Sequence, residues 1–169
     1  FVLATKISGK GYKAVRNGEG IDEKSIKIAI EGSLKKLKTD YIDLYQLHWP
    51  NRGSYHFRQN WNYNPTNQDT EIAKDNINGV LNSLSDLQKE GKIRHIGLSN
   101  ETCWGTSQFL DQLKNFSNLI IASIQNEYSL LCRLYDLDMA EMSHHENISL
   151  LSYSPLAGGF LTGKYINDN

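Results

Sequence analysis

Short apolar, β-branched runs alternate with amphipathic helical patterns along the whole 169-residue chain. That alternation limits the fold more than any other feature. Strands separated by helix-length segments pair most readily in parallel, with the helices as crossovers. Strands are expected at 1–6 (FVLATK), 41–48 (YIDLYQLH), 93–100 (IRHIGLSN), 119–128 (LIIASIQNEY) and 148–156 (ISLLSYSPL). Helices are expected at 22–37, 75–92, 103–116 and 137–146. In the first helix Asp22 is a candidate N-cap, and Ile26, Ile28, Ile30, Leu34 and Leu37 recur at roughly helical spacing. In the second, Ile77, Val80, Leu81, Leu84 and Leu87 share a face and Gly91 signals the C-terminus. A doubly wound α/β sheet and a (β/α)8 TIM barrel both fit this cadence. The returns from helix to strand are short, but the connections after Lys6 and His48 run about 15 and over 20 residues, against the usual few. Long loops at the C-terminal ends of strands are where barrel enzymes build their sites, and open sheets bind ligands at that edge too. No G-x-G-x-x-G follows any strand, which counts against a dinucleotide-binding doubly wound domain.

The strand ends carry the chemistry. In order they are Lys6; His48; Ser99 and Asn100; Gln125, Asn126 and Glu127; Tyr153 and Ser154. In a parallel sheet these groups lie on one rim, and such convergence is a site hypothesis. Singly, each has a plainer reading: a solvated lysine, a hydrogen-bonded structural histidine, an amide satisfying backbone, a core tyrosine. Five successive strands ending this way favour the site. Trp49, Tyr55, His56, Phe57, Trp61 and Tyr63 crowd the loop after His48. They either wall an apolar substrate pocket or pack the loop down.

Composition removes other classes. With 18 basic and 19 acidic residues and no basic block, a nucleic-acid partner is not expected. No apolar run reaches the length of a membrane span and no leader pattern opens the sequence, so a cytoplasmic protein without a membrane partner is expected. The three Asn-x-Ser/Thr matches, at Asn100, Asn115 and Asn147, are then chance occurrences. Cys103 and Cys132 lack metal or CxxC spacing and read as reduced thiols. Cys103, at a helix start, is a candidate for a lowered pKa. His144-His145 reads as a solvated helix end rather than a metal site. The sequence opens inside a strand and stops after an apparent helix start, so one partial domain over 1–169, cut at both ends, is expected.

Lys6 in VLATK, His48 in DYIDLYQLHWP, GKIRHIGLSN, IQNEYSLL and YSPLAGGFLTGKY together resemble the aldo-keto reductases, most nearly a bacterial Tas-like branch. The resemblance covers essentially the whole chain, in the family's motif order. It implies a partial (β/α)8 barrel carrying about strands three to seven, and an oxidoreductase that reduces an aldehyde or ketone to an alcohol by hydride transfer from NADPH. The family catalyses with a tyrosine acid, a lysine, an aspartate and a histidine. Lys6 and His48 match two of these. The tyrosine and aspartate belong to segments before residue 1, and neither Asp43 nor Tyr45 replaces them. By the same resemblance Ser99, Asn100 and Gln125 hold the nicotinamide carboxamide, and Tyr153 stacks on its ring. Ser154, Leu156, Ala157, Gly158 and Lys164 fall on the loop that wraps the pyrophosphate, where a helix N-terminus after SPLAGG would assist. NADPH rather than NADH rests on the resemblance alone. The chemistry suits these groups: an ammonium lowers a nearby phenol's pKa from ~10, and an imidazole donor steadies charge growing on a carbonyl oxygen. An NADPH-binding regulatory subunit with negligible turnover, and a remnant that does not fold alone, are the alternative readings.

Overall fold

The computed structural model describes residues 1–166, so the last three positions of the expected domain lie outside the described residues. Five parallel strands form one sheet in chain order. They are β1 (Ala4–Ile7), β2 (Ile42–Leu47), β3 (Ile93–Ser99), β4 (Ile121–Gln125) and β5 (Ser149–Leu150). Between them run α1 (Glu23–Leu37), α2 (Thr70–Lys89), α3 (Cys103–Leu113) and α4 (Met139–His145). The sequential order and the parallel pairing are those of a segment of a (β/α)8 barrel.

Local chemistry sets the helix limits. Asp22 caps α1 in a reciprocal box with Ser25, and Asp69 caps α2 by accepting from Ile72 N–H; such caps contribute about 1 kcal/mol each. Three returns to the sheet turn through left-handed residues, Lys38 at φ 54°, Gly91 at φ 75° and Asn147 at φ 55°. Gly91 is the residue that takes this conformation without a side-chain penalty.

The core lies between the sheet and α1–α3. Ile26, Ile30 and Leu34 from α1, Ile77, Val80, Leu81, Leu84 and Leu87 from α2, and Phe109 from α3 cover Ile7, Tyr45, Leu47, Ile96, Leu98 and Ile124. Full burial of each aliphatic side chain contributes about 1.5–3 kcal/mol. Two residues of the apolar helical pattern are not in it: Ile28 is 62 % exposed and Leu37 44 %. Ile28 sits two positions from both Ile26 and Ile30, so on a 3.6-residue helix it points the opposite way. Tyr45 is fully buried with its hydroxyl unpartnered among the described residues. Asp43 accepts from Leu3 N–H at 2.9 Å and pairs with Arg94 at 2.7 Å, at the opposite end of the sheet from the long loops. The strands are shorter than expected. The fifth ends at Leu150; beyond it Tyr153 keeps an isolated parallel bridge to Glu127, and the chain turns away at Ser154, φ 53°.

Candidate active site

Register places the polar groups in two rows. Lys6 pairs with Gln46, Gln46 with Gly97, Gly97 with Ser123, and Ser123 with Ser149. Partners in a parallel ladder share a sheet face, and so do residues two apart in one strand. The next residues on that face are therefore Ser8, His48, Ser99 and Gln125, with Ser99 and Gln125 themselves paired. Gly97 is glycine for a reason: a Cβ there would come 3.0 Å from Ser123 Oγ and 3.1 Å from Gln46 Cγ. Gln46, which the sequence reading passed over, donates to Gln125 Oε1 at 3.1 Å.

Lys6 and His48 sit at the ends of neighbouring strands. Burial lowers the pKa of Lys6. Burial, then the Lys6 charge, lowers that of His48, which keeps its imidazole neutral. His48 Nδ1 lies 3.4 Å from Ser8 Oγ. The imidazole stands 4.6 Å from the Trp49 ring and 6.4 Å from Phe57, and Trp49 meets Phe57 edge-on at 5.8 Å.

Asn100 follows β3 in the left-handed region, φ 51°. That turn aims its amide inward, donating to His48 O at 2.9 Å and Ser99 Oγ at 3.1 Å. Its Oδ1 accepts from Tyr153 Oη at 2.8 Å. Ser99 Oγ donates to Gln125 O at 2.9 Å. One network therefore ties the ends of β2, β3 and β4 to Tyr153. Burial, reinforced by Glu127 and Cys132, pushes the Tyr153 hydroxyl up to about 12, so it stays a donor. Gln125 keeps its Nε2 donor for something other than Gln46.

The loop after Tyr153 has no α-helix among the described residues, contrary to expectation. Ala157–Thr162 is a kinked 3-10 segment, broken by Gly158 at φ 65° and Gly159 at φ 100°. Ser154 and Ala157 are also left-handed, at φ 53° and 49°, and consecutive turns of this kind bring backbone N–H groups together. Lys164 folds back over Gly159, where a Cβ would meet Lys164 Cε at 2.8 Å. Leu156 is exposed beside them. Ser154, Ala157 and Gly158 line one side of a groove of about 740 Å³, and Arg58 and Asn60 belong to the same lining. A half-buried aromatic platform, a spare amide donor and a left-handed glycine loop beside a groove fit a nicotinamide cofactor.

The crowded aromatic loop divides its roles. Tyr12, Trp49, His56 and Phe57 line an apolar cavity of about 430 Å³. Tyr55 instead packs on His56 and Tyr63, at 4.6 and 6.0 Å, and Trp61 is exposed. The loop is pinched at its base, where Gln68 Nε2 donates to Arg52 O at 3.0 Å. Asn51 accepts from Ile21 N–H at 2.7 Å and donates to Ile21 O at 2.8 Å. Cys103 does not take the lowered pKa that a helix start can give: although it opens α3, burial and then Asp138 raise it. Among the described residues no group of three or more His, Cys, Asp or Glu side chains could hold a metal ion, and no helix is long and apolar enough to cross a membrane.

The parallel sheet and its polar rim define a portion of a (β/α)8-barrel fold. The Aldo/keto reductase family model matches residues 1–169, and the chain belongs to that family. It is 40 % identical to "Protein tas" of Escherichia coli strain K12, over 98 % of this chain and 48 % of that protein. It is 41 % identical to an "Aldo-keto reductase" of Babesia bovis, over 98 % of this chain and 61 % of that one. "Aflatoxin B1 aldehyde reductase member 2" of Homo sapiens matches at 26 % over 88 % and 36 % of the two chains. The chain thus spans about half the length of the curated relatives it matches.

Proposed function

We propose that this chain supplies the central part of an NADPH-dependent carbonyl reductase site, acting on a small aldehyde or ketone. The observation that carries the reading is the juxtaposition of Lys6 and His48 at the ends of adjacent parallel strands, on one face of the sheet. NADPH, when bound, supplies the hydride. Gln125 and Asn100 orient its carboxamide, Tyr153 supports its ring, and the Ser154–Gly158 turns with Lys164 meet its pyrophosphate. Asn100 needs its own fixed geometry for this, and the bonds it donates to His48 O and Ser99 Oγ provide it.

His48, neutral and with Nδ1 toward Ser8, has Nε2 to donate to the carbonyl oxygen as negative charge develops there. The Lys6 ammonium stabilises the conjugate base of whichever group delivers the proton. Neither Tyr45 nor Asp43 is that group. Tyr45 faces the helix layer, where burial raises its pKa well above the phenol range, and Asp43 is committed to Leu3 N–H and Arg94.

The reading is tested in a chimera in which residues 1–169 replace the matching stretch of Protein tas. We expect NADPH oxidation with a panel of aldehydes, and a rate loss of ~10²–10³ in His48→Ala. The isolated chain should show none, since its described residues form an open five-stranded sheet and neither Tyr45 nor Asp43 can serve as the proton donor. A slow His48→Ala chimera with an unchanged melting temperature supports the site. Normal turnover with a large melting-temperature loss would return His48 to a structural role.

A further inference from the structure

The residue after the Ser99–Asn100 pair is Glu101, whose side chain is 3 % exposed and faces that of Arg52, 9 % exposed. Both carboxylate oxygens are engaged: Arg52 Nη1 donates to Oε2 at 3.1 Å and Nη2 to Oε1. Thr102 N–H adds a bond to Oε1 at 2.6 Å. Arg52 Nη2 also reaches Thr102 Oγ1 at 3.1 Å, the hydroxyl that caps α3. The guanidinium lies 5.0 Å from the Trp104 ring centroid. A Cβ at Gly105 would collide with both Arg52 Nη2 and Glu101 Oε1, so α3 carries glycine where the pair is seated. The Glu101 carbonyl accepts from Asn126 Nδ2 at 3.1 Å and lies 3.1 Å from His56 Nε2.

Exposed ion pairs contribute little, but this one is bidentate and out of solvent, where its geometry is fixed. Through it and its neighbours the base of the aromatic loop (Arg52, His56), the end of β3 (Glu101) and the end of β4 (Asn126) become one body. We propose that the Arg52–Glu101 pair is a latch. It holds the loop bearing the Trp49–Phe57 wall against the strand ends bearing Ser99 and Asn100, and so sets affinity for the carbonyl substrate. The affinity part rests on the reductase reading above. Arg52 and Glu101 touch no reacting atom in that reading and are positioning residues.

The two partners are not equivalent. Glu101 precedes the N-terminus of α3, where the helix dipole and Thr102 N–H favour a carboxylate even without Arg52. A guanidinium at that same end is opposed by the dipole, and without Glu101 it keeps the neutral Thr102 hydroxyl and the Trp104 ring but no counter-ion among the described residues. Glu101→Leu therefore strands a buried cation, Arg52→Met leaves a partly satisfied anion, and the double variant relieves the first defect.

Hydrogen exchange on the full 169-residue chain reads this directly. In Arg52→Met, amides of residues 53–67 should exchange about 10-fold faster while β2 and α2 core amides keep their rates. Glu101→Leu should be worse, and the double variant milder than Glu101→Leu. Gly105→Ala, which keeps both charges and denies the guanidinium its seat, should loosen the same loop, and it serves if a charge-removing variant fails to fold. In the Protein tas chimera, Arg52→Met should raise carbonyl KM about 10-fold with kcat within about twofold. An unchanged loop, loop and core loosening equally, or Arg52→Met worse than Glu101→Leu would overturn the latch. A loosened loop with unchanged KM would overturn its role in affinity. If the unsubstituted chimera reduces no carbonyl while loop exchange follows the stated order, the latch stands and the reductase reading fails.

Discussion

Replacing Tyr153 by phenylalanine separates two roles that one residue carries. Its hydroxyl donates to Asn100 Oδ1 at 2.8 Å, and Asn100 is 1 % exposed, so no water replaces the lost donor. An unpaired buried acceptor costs about 1–3 kcal/mol. Asn100 keeps its two donated bonds, which places the expected loss at about 1–2 kcal/mol within that range. For a domain of this size each kcal/mol corresponds to about 2–4 °C, so Tm should fall by about 2–8 °C. The ring remains, and with it an aromatic contact worth about 0.5–1.5 kcal/mol. NADPH affinity in the chimera should then stay within about twofold for Tyr153→Phe, and weaken about 2- to 12-fold for Tyr153→Ala. Thermal unfolding by circular dichroism gives the first quantity and NADPH fluorescence titration the second. If Tyr153→Phe weakens the cofactor as much as Tyr153→Ala while Tm holds, the hydroxyl serves the ligand rather than Asn100.

Lys6→Met in the chimera should lower kcat about 100-fold or more, with NADPH affinity within a few-fold; lost affinity at normal rate would move Lys6 to the cofactor. Stability should fall on acidification through the histidine range. Burial holds His48 and His56 below the ordinary 6.5, so under that pH the unfolded chain binds protons the folded one refuses, and the favourable contribution present above it is lost. A Tm that stays flat from pH 7.5 to about 5.5 contradicts this. Tyr45→Phe should raise stability by about 1 kcal/mol by removing an unpartnered buried hydroxyl, and a lower Tm would reveal a partner for it.

The order of elements was readable because period and caps agree: Asp22 and Gly91 mark helix ends, and the α2 leucines repeat on one face. Ile28 misled because apolarity alone does not say which way a helical residue points; its angle from Ile26 and Ile30 does. The start of α2 at Thr70 rather than 75 was hidden in a polar first turn, DTEIAKD, whose Asp69 is the true cap. The rim residues were legible as polar groups ending strands. Their mutual bonds were not, since Asn100 to Tyr153 spans 53 positions and Gln46 to Gln125 spans 79. Arg52 and Glu101 escaped for the same reason: nothing local distinguishes a buried charge from a solvated one until its partner 49 positions away is in place.

The pinch between Gln68 and Arg52 has an evolutionary reading. A loop whose two ends are fastened to each other and, through Asn51, to the start of α1 adds little closure entropy when its length changes. Residues 53–67 therefore behave as a cassette that can be lengthened, shortened or exchanged without disturbing the strands that carry Lys6 and His48. The constraints on a transplant are a donor for the Glu101 carbonyl, now faced by His56, and an apolar group to meet Trp49, now Phe57. Grafting an excursion of another length or composition onto these two ends should accordingly leave the rim beneath unchanged, which thermal unfolding of the graft would check.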